Sequence, residues 1–382
     1  MTAALVLRPI RSWPRHGRTA LWYAAFAVHA GAVAVFSAGQ DKVWGMWAVG
    51  AYAIAAAFAA RPRVALAVAV LGALVAPVVW LHLTAPPTPD MQVVTRSAAL
   101  VLHHGTPYLP NDQLTTVIAY NPYLPVMSVF GIAGDPRVWL AVATFALLTA
   151  AFRTAGREWP AAVETGLFAT ASSVLAFPLT LGITDPPMLA LLCLTAALLG
   201  RDRFWPAAVA LGIACAMKAT AWPALPVFAA MFGLRTGIRF AAAAATLAAG
   251  LVLAGAPAAV AHPSTLVRNT VLFPLGLTHA QTPAASPLPG HLLASTGPTG
   301  HLAAIGLLVV AGLAVAVSLV TKPPADAAAA IRRIAIGLTI MFALAPASRF
   351  GYFAYPVGLF GWLVLNRTTD TAETQESPDA HP

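Results

Sequence analysis

The chain has 382 residues, 59% of them hydrophobic and only 9% charged. Soluble domains carry roughly 25% charged residues, so a water-soluble globule is excluded and the solvent must be largely lipid. The formal charge of +9 sits in short clusters between apolar runs, which points to the positive-inside rule and to headgroup attraction rather than to nucleic acid.

The first 19 residues, with Arg8, Arg11, Arg15 and Arg18, read as a cytoplasmic basic N-terminus. The apolar run 20–38 that follows is long for the core of a signal peptide and predicts a retained first span. Further apolar segments lie at 44–60, 64–84, 138–152, 160–180, 186–200, 204–233, 238–260, 301–320, 331–347 and 350–365, with a shorter one at 120–133. A spanning helix needs ~20 apolar residues to cross ~30 Å of hydrocarbon, so 20–367 reads as one all-α, polytopic membrane domain of roughly 10–12 transmembrane helices. The tail 368–382 holds Asp370, Glu373, Glu376 and Asp379 and no large apolar residue, which predicts a disordered cytoplasmic end. Cys193 and Cys215 both fall inside apolar runs, as buried small hydrophobes rather than a disulfide framework.

Basic residues set the orientation. With the N-terminal arginines inside, Arg61/Arg63, Arg153/Arg157, Arg201/Arg203, Arg235/Arg239, Lys322, Arg332/Arg333 and Arg367 also fall inside. This register requires 120–133 to be re-entrant or interfacial; if that stretch crosses, the spans from it to about residue 235 invert. Either way the loops 85–119 and 262–300 face outward. In the first loop, Met91, Val94, Ala98 and Val101 recur at helical spacing opposite Gln92, Arg96 and His103, a pattern that suits a helix lying in the membrane interface. The second is long and proline-rich, and carries Arg268, His279 and His291.

Few acids are placed for chemistry. Asp202, Glu158 and Asp326 sit beside basic residues in inner loops, and Asp135 shares a short turn with Arg137. Outside remain Asp41, Asp90, Asp112 and Asp185. Asp41 adjoins Lys42. Asp185, ahead of two prolines, suits helix initiation as well as chemistry. Asp90 suits either capping of the interfacial helix or catalysis. There is no Asp-x-Asp pair, Gly-rich phosphate loop, His-Glu-x-x-His or Gly-x-Ser-x-Gly in the sequence. His103 and His104, adjacent on a helix, point in different directions and read as interface residues. Lys218, amid apolar residues, either faces a cavity or partner or snorkels to an interface. Arg349, in Pro-Ala-Ser-Arg-Phe-Gly-Tyr-Phe-Ala-Tyr-Pro, either anchors an aromatic belt with Tyr352 and Tyr355 or recognises phosphate.

Asp90-Met-Gln-Val-Val-Thr-Arg-Ser-Ala, then His-Gly-Thr-Pro-Tyr108, then Tyr120-Asn-Pro-Tyr-Leu-Pro125 resemble the first outer loop of GT-C fold glycosyltransferases. The nearest subgroup is the bacterial membrane mannosyltransferases that use polyprenyl-phosphate sugars. Gly182 to Pro187, Lys218 to Pro223, Phe-Pro-Leu-Gly-Leu from Phe273, Ser-Pro-Leu-Pro-Gly from Ser286 and Arg349 to Pro356 extend the likeness over about 85–360. The resemblance implies a GT-C-like fold in the cell membrane with its site facing outside. It implies transfer of a hexose, mannose first, from a polyprenyl-phosphate donor to a glycolipid or other envelope glycan acceptor, with inversion and no metal or cofactor. It casts Asp90 as general base and Arg96, Tyr108, Tyr120, Asp185, Lys218, His279, Arg349 and Tyr352 as substrate-binding candidates. The rival expectation is a multi-pass transporter or flippase for a lipid or small solute, set against the lack of a visible repeat.

Overall fold

The computed structural model describes residues 15–258, 262–280 and 284–373. In chain order its helices are α1 (Arg15–Phe36), α2 (Gly39–Ala57), α3 (Pro62–Thr84), α4 (Pro89–His104), α5 (Pro136–Thr154), α6 (Trp159–Thr170), α7 (Ser173–Leu181), α8 (Asp185–Leu199), α9 (Phe204–Met217), α10 (Ala224–Ala229), α11 (Leu234–Gly255), α12 (Pro263–Val267), α13 (Pro289–Ala294), α14 (Pro298–Thr321), α15 (Ala327–Leu344) and α16 (Ala354–Glu373). No strand occurs among the described residues, and two isolated bridges are the only extended pairings there.

Among the described residues, six helices are long and apolar enough to cross a membrane: residues 17–36 of α1, and α3, α5, α11, α14 and α15. A seventh arises if α6 and α7, bent by 66°, count as one span. The protein is therefore a multi-pass, all-helical membrane protein. Every apolar segment of the sequence holds helix except 120–133, which forms short 3-10 turns (Val117–Ala119, Pro125–Gly131) and no spanning helix. Three prolines within 121–136 explain this, because each removes a backbone donor and disfavours helix at the residue before it. At the chain ends, helix begins at Arg15, inside the segment read as a basic extension. It also continues to Glu373, so 368–373 are helical where disorder is predicted. Residues 374–382, the rest of that tail, and 1–14 lie outside the described residues.

The chain, read as one domain from its sequence, groups into two compact units. The first comprises Met1–Thr88 with Gly166–Ile183. Its core joins Tyr23, Phe26, Tyr52 and Phe168, with Phe26 and Tyr52 ring centroids 5.5 Å apart. Local sequence explains a defect in α3. Pro77 cannot donate to the Ala73 carbonyl four residues back, and a π-helical turn forms at Leu71–Val75. The buried Trp44 indole donates to that freed carbonyl at 2.9 Å, as a buried backbone acceptor requires.

The second unit comprises Pro89–Thr165 and Thr184–Pro382. Almost every side chain of α8 is buried, as expected of a helix apolar on all faces, whereas α14 buries little beyond Gly300, Ala304 and Leu319. On α4 the stripe Met91, Val94, Ala98 is buried, with Val93 and Ser97. The face read as lipid-directed therefore packs against protein, chiefly the 125–131 turn. Gly131 makes that contact possible: a Cβ there would lie 2.5 Å from the Val94 carbonyl oxygen and 2.9 Å from Thr95 Cα. Real side chains do not approach so closely, so helix and turn meet backbone to backbone.

Candidate functional site

Five elements of the second unit bring charge together. Asp90 lies in the first turn of α4, where the helix dipole favours an anion. It is the second helical residue, one of the two positions that the capping alternative allowed. Arg349 precedes the 3-10 turn Phe350–Phe353, and its Nη1 stands 3.9 Å from Asp90 Oδ2. The other carboxylate oxygen, Oδ1, accepts a hydrogen bond from the Tyr123 hydroxyl. Behind this pair lies a second one. Thr184 caps α8 without a side-chain hydrogen bond, and the helix opens on Asp185. Asp185 Oδ1 meets Lys218 Nζ and accepts from the Tyr355 hydroxyl. Of the two readings of Lys218, the structure shows the partnered one.

The backbone places Lys218 by breaking a helix. It ends α9 with φ −154° and ψ 139°, before a 3-10 turn at Ala219–Ala221. The extended residue bridges antiparallel to Tyr123, and Leu124 N–H donates to the Met217 carbonyl at 3.0 Å. The Met217 carbonyl that the break frees is thus used. Lys218 Nζ lies 5.3 Å from the Tyr123 ring centroid and 5.8 Å from that of Tyr352, a cation between two aromatic rings. Tyr123 therefore touches both pairs, through its hydroxyl and through its face. Burial, then the Asp90 carboxylate, push its phenol well above the ordinary tyrosine value, so at neutral pH it is a proton donor to Asp90.

A second layer fixes Tyr123. Its N–H donates to Asn121 Oδ1 at 2.9 Å and its carbonyl accepts from the Tyr108 hydroxyl at 3.0 Å. Asn121 in turn donates to Ser97 Oγ and the Pro107 carbonyl, and its own N–H donates to Asn269 Oδ1 at 2.7 Å. All of Asn121, Ser97 and Asn269 are buried. Arg349 is held through its neighbour: Ser348 N–H donates to the Ala284 carbonyl, Ser286 N–H to the Ser348 carbonyl, and Phe350 N–H to Ser286 Oγ. Near the pairs, Ser348 Oγ and Arg349 Nε are buried and lack a hydrogen-bond partner among the described residues, while Thr184 lies within reach of the Tyr123 phenol and Thr220 of the Tyr355 phenol.

No family model, curated protein or solved structure matches this chain.

Of the residues singled out from sequence, Asp90, Asp185, Lys218, Arg349 and Tyr352 converge here. Tyr108 supports from one layer back. Three do not join them. Arg96 donates to the carbonyls of Ile118 and Ala119, which pins the loop. Asp90 and Arg96 are six residues apart on one helix, about 120° apart around the axis at 3.6 residues per turn. Tyr120 stacks on Phe273 at 4.6 Å in a separate apolar cluster. His279 is exposed, and among the described residues no hydrogen bond or ion pair ties it to the site. Tyr123 and Tyr355 were missed. Position three after Tyr352 on a helical stretch was the available signal for Tyr355, and the Pro-Tyr-Leu-Pro setting that forces extended backbone was the signal for Tyr123. No group of three or more His, Cys, Asp or Glu able to hold a metal is found among the described residues.

Proposed function

We propose that this protein is a GT-C-like membrane glycosyltransferase that moves a hexose, mannose first, from a polyprenyl-phosphate donor to a cell-envelope acceptor at the outer membrane face. The observation that supports it is the Asp90–Arg349 pair: a carboxylate and a guanidinium, both partly exposed, 3.9 Å apart where α4 begins. In such a transfer the acceptor oxygen bonds to the anomeric carbon while its proton passes to a base. The bond from that carbon to the phosphate oxygen breaks, its electron pair leaving with the phosphate, and configuration inverts. Asp90 Oδ2 suits the base, because Oδ1 is already held by Tyr123. Arg349 suits the leaving phosphate, whose charge a forked guanidinium stabilises. The 3.9 Å gap is too narrow for a sugar, so donor binding turns Arg349 from Asp90 to the phosphate and frees Oδ2. Lys218, engaged by Asp185, is assigned to positioning rather than phosphate binding.

In this reading α8 and α9, of 15 and 14 residues, complete spans with their flanking turns, raising the count toward roughly 10–12. The amphipathic α4 lies near the outer interface of the cell membrane. One observation favours a transporter instead: a charged pair buried at a helix break, as in discontinuous transport helices.

Purified protein in proteoliposomes, given radiolabelled polyprenyl phosphomannose and an envelope lipid extract, separates the two. Labelled glycolipid whose formation survives EDTA is expected. Transbilayer movement of label without transfer, or a strict need for added Mn²⁺ or Mg²⁺, would overturn the reading.

A further inference from the structure

A groove of about 340 Å³ runs between α10, α14 and α15. Its wall is apolar, with Pro226, Val227, Val315, Ile334 and Met341 among the lining residues, and Arg333 is the one charged residue in it. Arg333 Nη1 is held by the Ser318 carbonyl and hydroxyl, each at 3.1 Å. Its other guanidinium nitrogens have no partner among the described residues. Arg332 beside it and Lys322 at the end of α14 likewise show no hydrogen bond or ion pair through their side chains. The nearby acid, Asp326, spends its carboxylate capping α15 through Ala329 N–H at 2.6 Å. One end of the apolar groove is therefore lined by the Arg333 guanidinium, with Arg332 next to it in the chain and Lys322 one turn beyond its partner Ser318, and among the described residues no carboxylate is paired with any of the three. From Arg333 to Met341 the groove follows α15 for eight residues, ~12 Å at 1.5 Å per residue, close to one leaflet of a ~30 Å hydrocarbon core.

We infer that this groove binds an anionic phospholipid, with an acyl chain along the apolar wall and the phosphate at Arg333. Basic pockets between spanning helices recognise such headgroups. The inference does not depend on the transfer reading. A donor anchored at Arg349 has its phosphate beyond the opposite end of α15, whereas here the cations lie at the end where α15 begins. The lipid belongs to the leaflet on the side of Arg332, Arg333 and Lys322.

The test is native mass spectrometry of the full chain titrated with phosphatidylglycerol and with phosphatidylcholine. Wild type should retain phosphatidylglycerol at least about tenfold more tightly than phosphatidylcholine, equivalent to ~1.4 kcal/mol. Arg333→Gln keeps a donor for Ser318 and removes the charge, and should erase the preference. Gly337→Leu should lose both lipids without altering charge, since a Cβ at Gly337 meets nothing within 4 Å and a larger side chain occupies the groove. Equal retention of the two lipids by wild type, or a preference that survives Arg333→Gln, would overturn the inference. So would displacement of phosphatidylglycerol by polyprenyl phosphate, which assigns the groove to a donor. A lipid-free dimer that Gly337→Leu disrupts would assign it to a second copy of the chain.

Discussion

The two ion pairs of the site use the same chemistry in opposite ways. Asp185 and Lys218 are in direct contact, with side chains 7% and 11% exposed, and each has further partners in Tyr355, Tyr123 and Tyr352. Asp90 and Arg349 stand 3.9 Å apart at 23% and 39% exposure. A buried pair stripped of water is costly unless its polar groups find partners, and the inner pair uses Asp185 Oδ1 twice and sets Lys218 against two rings. The outer pair is loose, wet and incompletely satisfied. On the proposed reading, closeness suits the inner pair to architecture and looseness suits the outer one to competition with a ligand.

That contrast is most open to attack at Lys218. Lys218→Met leaves the Asp185 carboxylate buried without its cation, a change that typically costs ~3–5 kcal/mol. Thermal unfolding in detergent should show a large loss of stability, most of it restored by adding Asp185→Asn. An unchanged melting temperature in the single variant would remove the architectural role. At the outer pair the effect should fall on rate alone. Asp90→Asn should melt like wild type but transfer sugar ~10²–10⁴ more slowly, the usual worth of a general base. Near-normal transfer would move suspicion to Asp185 or Asp112. Arg349→Lys keeps charge and loses the fork. Donor KM should rise at least about tenfold, equivalent to ~1.4 kcal/mol, while KM for the acceptor stays put; an unaltered donor KM leaves Arg349 as an interface anchor. The smallest expected effect is none. With its phenol raised by burial and by Asp90, Tyr123 stays protonated and still donates to Asp90 when ordinary tyrosines ionise near pH ~10. Tyrosinate absorbance of wild type and Tyr123→Phe should therefore coincide there. An absorbance deficit in the variant would show that Tyr123 ionises and that the two pairs are not bridged as described.

Much of the fold was legible because lipid imposes one rule, long apolar runs, which six helices obey among the described residues, whereas α8 and α9 fall short of it. The site was half legible for a related reason. In a chain so poor in charge, Asp90, Asp185, Lys218 and Arg349 stand out by elimination. Pairing did not show. Asp185 and Lys218 are 33 residues apart, and nothing local to either says that helix breaks face them toward each other. Tyr123 and Tyr355 were hidden by the ordinary use of tyrosine at membrane interfaces. Arg96 and His279 lie apart from the two pairs, and sequence does not separate them because a charge or an imidazole in an outer loop reads alike whether it meets a ligand or a carbonyl.

Gly131 has a consequence for how this site can be dismantled. Its missing side chain is the clearance between α4, which carries Asp90, and the turn that follows Tyr123. Gly131→Ala alters no charged group, no phenol and no groove, yet inserts a methyl as a wedge 2.5 Å from the Val94 carbonyl oxygen. The helix must then lift from the turn, drawing the carboxylate off the Tyr123 hydroxyl. Such an allele would act as a mechanical lever on the site, and because backbone faces backbone there, no side-chain change opposite could take up the wedge.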